Sequence, residues 1–236
     1  SAQAKGRDLV GTSETVRTQK RYDRQAWLYD LKEWPVEFAF KPLRRRLWSE
    51  VRGNLVLEIG VGTGKNFSHH PRGARVVGVD VSPKMLARAA RRARRLGREI
   101  DLVLADAQRL PFRDGVFEAA AATFVFCSVP DPVAGLEEGR RVVTGGGRIH
   151  LAEHVRATNR LAGWIMDRLN PIVVRMMGAN INRDTVSNVA RAGIRIEGVE
   201  SRGFGILKLI SGSKGQPGPE SVSLGERAPA ATKEGV

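Results

Sequence analysis

Residues 55–64 read Leu-Val-Leu-Glu-Ile-Gly-Val-Gly-Thr-Gly, an apolar run ending in three alternating glycines, Gly60, Gly62 and Gly64. Such a run predicts a buried strand that stops in a turn where backbone must approach a ligand closely. A second apolar run, Arg75 to Val79, ends in an acid, Asp80. That places a carboxylate at the tip of the neighbouring strand, where it can grip a ribose diol. Together the two runs predict a nucleoside-containing cofactor lying across the strand ends of an α/β sheet.

Details of the turn narrow the cofactor. A dinucleotide fingerprint counted from Gly60 requires its third glycine at position 65, which is Lys65. A phosphate-binding loop built on Gly64-Lys65 requires glycine and a hydroxyl residue where the chain has Ile59 and Asn66. Glu58 adds a carboxylate beside the turn, which repels a pyrophosphate and suits cationic centres. S-adenosylmethionine carries both a sulfonium and an ammonium, so Glu58 favours it.

Alternation organises the rest of the chain. Residues 1–20 are polar and aperiodic and read as a flexible arm, and Tyr22 to Trp48 is aromatic-rich with helical period. Strands are expected at Leu55–Gly60, Arg75–Asp80, Ile100–Ala105, Val116–Phe126 and Arg148–Ala152. Helices are expected from Gly62 to His69, after the Ser82-Pro83 cap, and over Pro132–Val143. Ile194–Glu200 and Ile206–Ser211 read as a closing hairpin-like pair at the sheet edge. The pattern predicts a doubly wound, mostly parallel sheet.

The predicted organisation is an arm over 1–20, one domain over 21–211 and a disordered tail over 212–236. An insertion at about 155–185 interrupts the rhythm. At 236 residues one domain has ample length to bury a core. No stretch approaches the ~20 apolar residues of a membrane span, and no signal peptide is expected ahead of the fold. A single cysteine, Cys127, excludes an intrachain disulfide and fits a reducing cytoplasm. No metal site is expected.

Lys and Arg total 39 against 25 acids, a formal charge of +14. The excess concentrates at 41–46 and along Lys84 to Arg98. In the second segment Leu86, Ala89, Ala90, Ala93 and Leu96 recur at helical spacing, leaving Arg88, Arg91, Arg92, Arg94, Arg95 and Arg98 outside. An anionic bilayer, nucleic acid and plain solvent all suit such a face, and charge alone does not separate them.

The order Glu58-x-Gly60-x-Gly62-x-Gly64, Gly78-Val-Asp80-Val-Ser-Pro-x-Met85-Leu86, Ala105-Asp106-Ala107, Leu110-Pro-Phe112 and Gly145-Gly-Gly147 resembles class I S-adenosylmethionine-dependent methyltransferases. Within them it is similar to the branch of quinone C-methyltransferases, bacterial phosphatidylethanolamine N-methyltransferases and methyltransferase-like thiol methyltransferases. The resemblance covers roughly residues 20–211. It implies a Rossmann-like, seven-stranded fold with an N-terminal helical lid. It places the backbone of Gly60, Gly62 and Gly64 against the methionyl group and ribose, and Asp80 on both ribose hydroxyls. Met85 would pack on the adenine face, Asp106 would accept the adenine amino hydrogen, and the Ala107 N–H would reach the ring. Phe124 would sit against the methionyl moiety. For catalysis it points to Tyr29, in a Tyr22-Asp23…Tyr29-Asp30 element, and to His154 at the tip of the fifth strand, as groups that orient or deprotonate the acceptor.

The insertion carries the substrate reading. Leu161, Trp164, Ile165, Leu169, Ile172, Val173, Met176 and Met177 make an unusually apolar stretch that suits a lipophilic acceptor or a bilayer surface. With the arginines, it points to a lipid-like or other lipophilic small-molecule substrate reached from an anionic membrane surface, and to a cytoplasmic protein peripheral at the inner face. Phosphatidylethanolamine N-methylation ranks first, C-methylation of a quinone precursor second and S-methylation of an alkyl thiol third. A nucleic-acid methyltransferase is the reading outside lipids. Against it, the segment after the fourth strand is Cys127-Ser-Val-Pro130, without the Asn/Asp-Pro-Pro-aromatic motif of enzymes that hold a flipped adenine.

Overall fold

The computed structural model describes residues 13–155, 164, 166–168, 170, 180, 183–202 and 205–214, with the side chains of 25, 27–36, 38 and 39 left aside. Four helices and seven strands are assigned among the described residues: α1 (Ser13–Trp48), β1 (Leu55–Ile59), β2 (Arg75–Asp80), α2 (Pro83–Arg95), β3 (Ile100–Leu104), β4 (Phe117–Thr123), α3 (Pro132–Val142), β5 (Val143–His154), α4 (Thr185–Arg191), β6 (Arg195–Arg202) and β7 (Leu207–Ser213). The strands form one sheet in the order β3-β2-β1-β4-β5-β7-β6. Neighbours from β3 to β5 pair in parallel, while β7 runs antiparallel to both β5 and β6. The sheet is therefore seven-stranded and mostly parallel, closed by the expected edge pair.

Strand parity divides the core. Leu57, Ile59, Val77, Val79, Ala120 and Ala122 pack on one face with Leu136 of α3 and Val189 of α4. Val56, Val76, Ala119, Ala121 and Ala152 pack on the other with Leu43, Leu47 and Trp48 from the end of α1. The four consecutive alanines of β4 thus serve both faces, as a central parallel strand must. A third cluster seats Ala89 and Ala93 of α2 against Val61 and Phe67. Helix α2 begins as predicted: the Ser82 side chain accepts from Met85 N, with Pro83 in the first turn.

Several boundaries differ from the sequence reading. Helix α1 starts at Ser13, so residues 13–20, expected within the loose arm, are helical, and Thr15 is buried. Residues 62–69 form tight turns instead of a helix. Their N–H groups bond three residues back (Gly64 to Val61, Phe67 to Gly64, His69 to Asn66), because left-handed Gly62 and Gly64 cannot continue a right-handed helix. Strand β4 ends at Thr123, short of the expected Phe126, because Phe124 turns left-handed with φ 58°. Leu96, expected on the inner face of α2, is 45% exposed at the helix C-cap. Residues 212–214, assigned to the tail, belong to the fold: β7 runs to Ser213, and Lys214 Nζ donates to the carbonyls of Arg141 and Val143 at 3.0 and 2.8 Å. The rest of the tail and most of the 155–185 insertion lie outside the described residues.

Among the described residues Trp48 is the largest fully buried side chain, and it anchors α1 to the sheet. Replacing it with Ala should remove about 3–5 kcal/mol of stability, measured by urea unfolding. A loss under about 1 kcal/mol would mean that α1 is not anchored there.

Candidate active site

The strand order reverses between β2-β1 and β4, so the loops after β1 and β4 leave the sheet in different directions and open a crevice. A cavity fills it, lined from β1 by Gly60 and Gly62, from β2 by Asp80, from β3 by Asp106 and Ala107, from α2 by Met85 and from β4 by Thr123 and Phe124. Helix α1 covers it with Thr15, Thr18 and Tyr22, and the β4–α3 loop adds Val125, Ser128, Val129 and Pro130.

The glycine turn is built for close approach. Gly60 N and Val61 N both donate to Val79 O, at 2.8 and 3.0 Å, which folds the turn over β2. A Cβ on Gly60 would come within 2.4 Å of Val125 Cγ2. A Cβ on Gly62 would meet nothing within 4 Å, so space is left open over its backbone. Asp80 braces the turn: Oδ2 accepts from Gly62 N and Oδ1 from Ser82 N, each at 2.9 Å. Burial pushes its carboxyl up to about 6, against the pull of those two bonds. Each oxygen keeps a lone pair for a further donor.

Asp106 is more fully engaged. Its Oδ2 accepts from Thr15 Oγ1 at 2.9 Å, and its Oδ1 from Gln108 N and Nε2 at 2.9 and 3.0 Å. Thr15 thus occupies an oxygen that the resemblance assigns to adenine. Two more bonds close α1 over the cavity: Ser82 Oγ donates to Asp23 Oδ1 at 2.6 Å, and Tyr22 Oη to Ser128 Oγ at 2.7 Å.

Glu58 and Gly64 do not line the cavity. Glu58 is fully buried on the α1 side of β1, where Oε1 accepts from Asn66 Nδ2 at 2.6 Å and Oε2 pairs with His70 Nε2 at 2.8 Å. Asn66 passes the contact on to Arg44, whose Nη1 donates to Asn66 Oδ1 at 3.1 Å. Arg44 also meets Glu37 and stands 5.4 Å over the Phe124 ring. The Glu58 carboxylate therefore reaches the cavity at second hand, through Asn66, which also donates to Thr123 Oγ1 at 3.2 Å, and through its charge, which adds to the rise of Asp80. Gly64 is required by packing, since a Cβ there would strike the Phe67 ring at 2.5 Å.

Of the expected catalytic pair, His154 is placed and the Tyr29 side chain lies outside the described residues. His154 packs against Phe124 and Phe40, with ring centroids 4.7 and 5.3 Å away, and is not part of the cavity lining. Burial lowers its pKa to about 4, so the ring is neutral at physiological pH and a weaker base than a free imidazole. Among the described side chains, Tyr22, one residue before Asp23 in the same motif, reaches the cavity. Burial, with the nearby Glu153 charge, pushes the Cys127 thiol up to about 12, which keeps it protonated. Burial also raises Glu153 to about 7.

Residues 57–151 match the methyltransferase domain family. The chain is 36% identical over 132 residues to a phosphatidylethanolamine N-methyltransferase of Cereibacter sphaeroides, covering 52% of this chain and 65% of the relative. It is 34% identical over 122 residues to a thiol S-methyltransferase of Homo sapiens (48% and 50% of the two chains). It is 40% identical over 101 residues to a demethylmenaquinone methyltransferase of Thermus thermophilus (42% and 46%). The matches thus span between about half and two thirds of these relatives' length. A SAM-dependent methyltransferase of Thermotoga maritima superposes with a TM-score of 0.65 at 22% identity, over 84% of this chain and all of that one, a likeness of fold. The sheet and its glycine turn, with the family match over residues 57–151, are similar to those of class I S-adenosylmethionine-dependent methyltransferases.

Glu153 and His154, neighbours at the end of β5, have opposite effects on stability. Folded Glu153 holds its proton up to about pH 7, against 4.5 for an ordinary glutamate, so folding is disfavoured as pH rises through that window. Folded His154 refuses a proton until about pH 4, against 6.5, so it disfavours folding as pH falls. Glu153→Gln should remove a decline of about 3 kcal/mol between pH 4.5 and 7. Urea melts across that range test this, and parallel curves for the two proteins would contradict it.

Proposed function

We propose that the chain transfers a methyl group from S-adenosylmethionine to a lipophilic acceptor, with phosphatidylethanolamine, methylated at nitrogen, as the leading substrate. The observation that carries the cofactor is the open space over left-handed Gly62 beside the half-buried Asp80 carboxylate. Bound there, the cofactor supplies a methyl already activated by its sulfonium. Asp80 would accept from the ribose hydroxyls with the lone pairs that Gly62 and Ser82 leave unused. Met85, 1% exposed, offers an apolar face to the base. For Asp106 to accept the adenine amino group, Thr15 has to yield its place.

The rest of the work is positioning. Holding an acceptor in line with a methyl–sulfur bond lowers the barrier by up to about 7–11 kcal/mol. Helix α1 supplies the cover, excluding water through its bonds to Asp106, Ser82 and Ser128. An amine arriving as ammonium must lose a proton, and His154 is the imidazole beside Phe124 at the strand ends. Its neutral ring has a nitrogen lone pair for that proton, although burial makes it a reluctant base.

Several features support a lipid-like acceptor. Trp164 is 55% exposed, with the Arg168 guanidinium 5.4 Å over its ring, a pairing suited to a headgroup boundary. Arg91, Arg94 and Arg95 are exposed on α2, which carries no acid. No described helix is long and apolar enough to cross a membrane, so contact with a bilayer would be peripheral. The relatives' names add phosphatidylethanolamine, thiol and demethylmenaquinone activities, which leaves the quinone precursor and alkyl thiol as second readings.

Asp80→Ala should weaken cofactor binding at least about 100-fold by calorimetry, since it removes two charge-assisted bonds. Because ribose donors favour ionised Asp80, wild-type affinity should rise about tenfold per pH unit up to about pH 6 and level off above it. Near-normal binding by the variant would refute the ribose assignment. His154→Ala should lower turnover more than cofactor affinity and alter the pH–rate profile, whereas an unchanged profile assigns it to packing. Mass spectrometry of lipids and quinones after expression in a host lacking such enzymes identifies the acceptor. Trp164→Ser combined with Arg91, Arg94 and Arg95→Glu should abolish flotation with vesicles containing phosphatidylglycerol, and undiminished flotation would remove the membrane-surface reading.

A further inference from the structure

Glu153 has no part in the cofactor contacts above, yet it is among the most buried charged groups of the chain, at 0% exposure. It extends from β5 to the neighbouring loop. Its Oε1 accepts from two consecutive backbone groups, Val125 N and Phe126 N, each at 2.9 Å. Successive N–H groups in a turn form a concave anion seat, and here a side chain of the adjacent strand fills it.

The residue just before that seat is Phe124, the sole left-handed non-glycine residue among those described. That conformation is disfavoured for a residue with a side chain and persists only where neighbours enforce it. Phe124 N is tied to Ala152 O at 2.8 Å, and Cys127 O accepts from Asn180 N at 2.9 Å. Between these two fixed points the Glu153 oxygen is the acceptor that holds the bend. The bend aims the Phe124 ring at Phe40, His154 and Arg44, and seats Val125 over Gly60, where its methyl occupies the space a Cβ would need. Ser128 and Val129 of the cavity wall follow directly.

We infer that Glu153 is a positioning residue for methyl transfer: its Oε1, by accepting from Val125 N and Phe126 N, holds Phe124 left-handed and so sets the wall between cofactor and acceptor. The inference rests on the methyltransferase reading for its kinetic consequence, and on geometry alone for its structural one. What matters is the reach of the acceptor oxygen. The carbonyl oxygen of a protonated carboxyl or of an amide reaches the same two N–H groups, and burial raises the pKa of the group against the pull of those bonds.

Two variants separate reach from charge in the full chain. Glu153→Gln keeps the oxygen in place and loses the charge, while Glu153→Asp keeps the charge and withdraws the oxygen by one methylene. In Glu153→Asp, amide exchange at Val125 and Phe126 should accelerate about 10- to 100-fold, the loss expected for a hydrogen bond to a buried carboxylate. Exchange at Val56 to Ile59 should stay as in the wild type, which shows the fold intact. S-adenosylhomocysteine affinity and kcat should fall by a similar factor, with acceptor KM nearly unchanged. Glu153→Gln should match the wild type in affinity and kcat and, at about pH 4.5, where folded Glu153 carries its proton, in exchange. Wild-type behaviour of Glu153→Asp overturns the inference, and so does a Glu153→Gln variant as impaired as Glu153→Asp. If the wild type transfers no methyl to lipid, quinone precursor or thiol, the activity reading fails instead, and amide exchange and S-adenosylhomocysteine binding still decide the role of Glu153.

Discussion

The parallel pairing of β1 with β2 on one side and β4 on the other is the constraint from which the rest of this molecule follows. Parallel neighbours finish at the same edge, so the polar loops of four strands meet there and the apolar helices are left to cover the faces. The crevice exists before any side chain is placed in it. The four alanines of β4 make the pairing workable, since they let helices pack on both faces of a strand that carries the loop with Phe124. A bulkier β4 would push α1 and α3 outward and lift both rims of the cavity.

Inside that frame the electrostatics are divided between two carboxylates with different surroundings. Glu58 is met by Asn66 and His70, and its charge is distributed through Arg44 and Glu37 into α1. Asp80 receives only backbone N–H groups and faces the cavity. The first is satisfied by the protein, and the second keeps acceptor capacity for a partner. Strong burial raises the cost of leaving such a group half-used, which is why the capacity points to a ligand.

The lining of the cavity was largely legible in the amino-acid sequence because backbone geometry dictates its spacing. Gly60, Gly62, Asp80, Met85, Asp106, Ala107 and Phe124 all line the cavity as read. Glu58 was misplaced for a reason the strand itself contains. It shares parity with Val56, and that face of β1 lies under α1 and away from the open turn. Gly64 looked like part of the ligand turn because the motif repeats, but the Phe67 ring demands it, a contact that only the folded turn creates. Tyr22 and Tyr29 lie seven residues apart, on nearly the same face of a helix, so periodicity cannot say which turn reaches the strand ends. Glu153 carried no signal beyond its neighbour His154, because its partners are main-chain groups of a different strand's loop. The start of α1 was missed because residues 13–20 are polar, and what docks them is the contact of Thr15 with Asp106 and Gln108 instead of an apolar stripe.

Helix α1 is fastened in two different ways along its length. Near its C-terminal end, Leu43, Leu47 and Trp48 are sunk in the core, where water cannot replace them. At the other end, Thr15, Tyr22 and Asp23 hold through hydroxyl and carboxylate bonds that water can replace one for one. The helix therefore behaves like a hinged leaf whose spine is apolar and whose latch is wet. Among the described side chains, those nearest the cavity are thus held by exchangeable bonds, while the spine at the far end keeps the leaf in register.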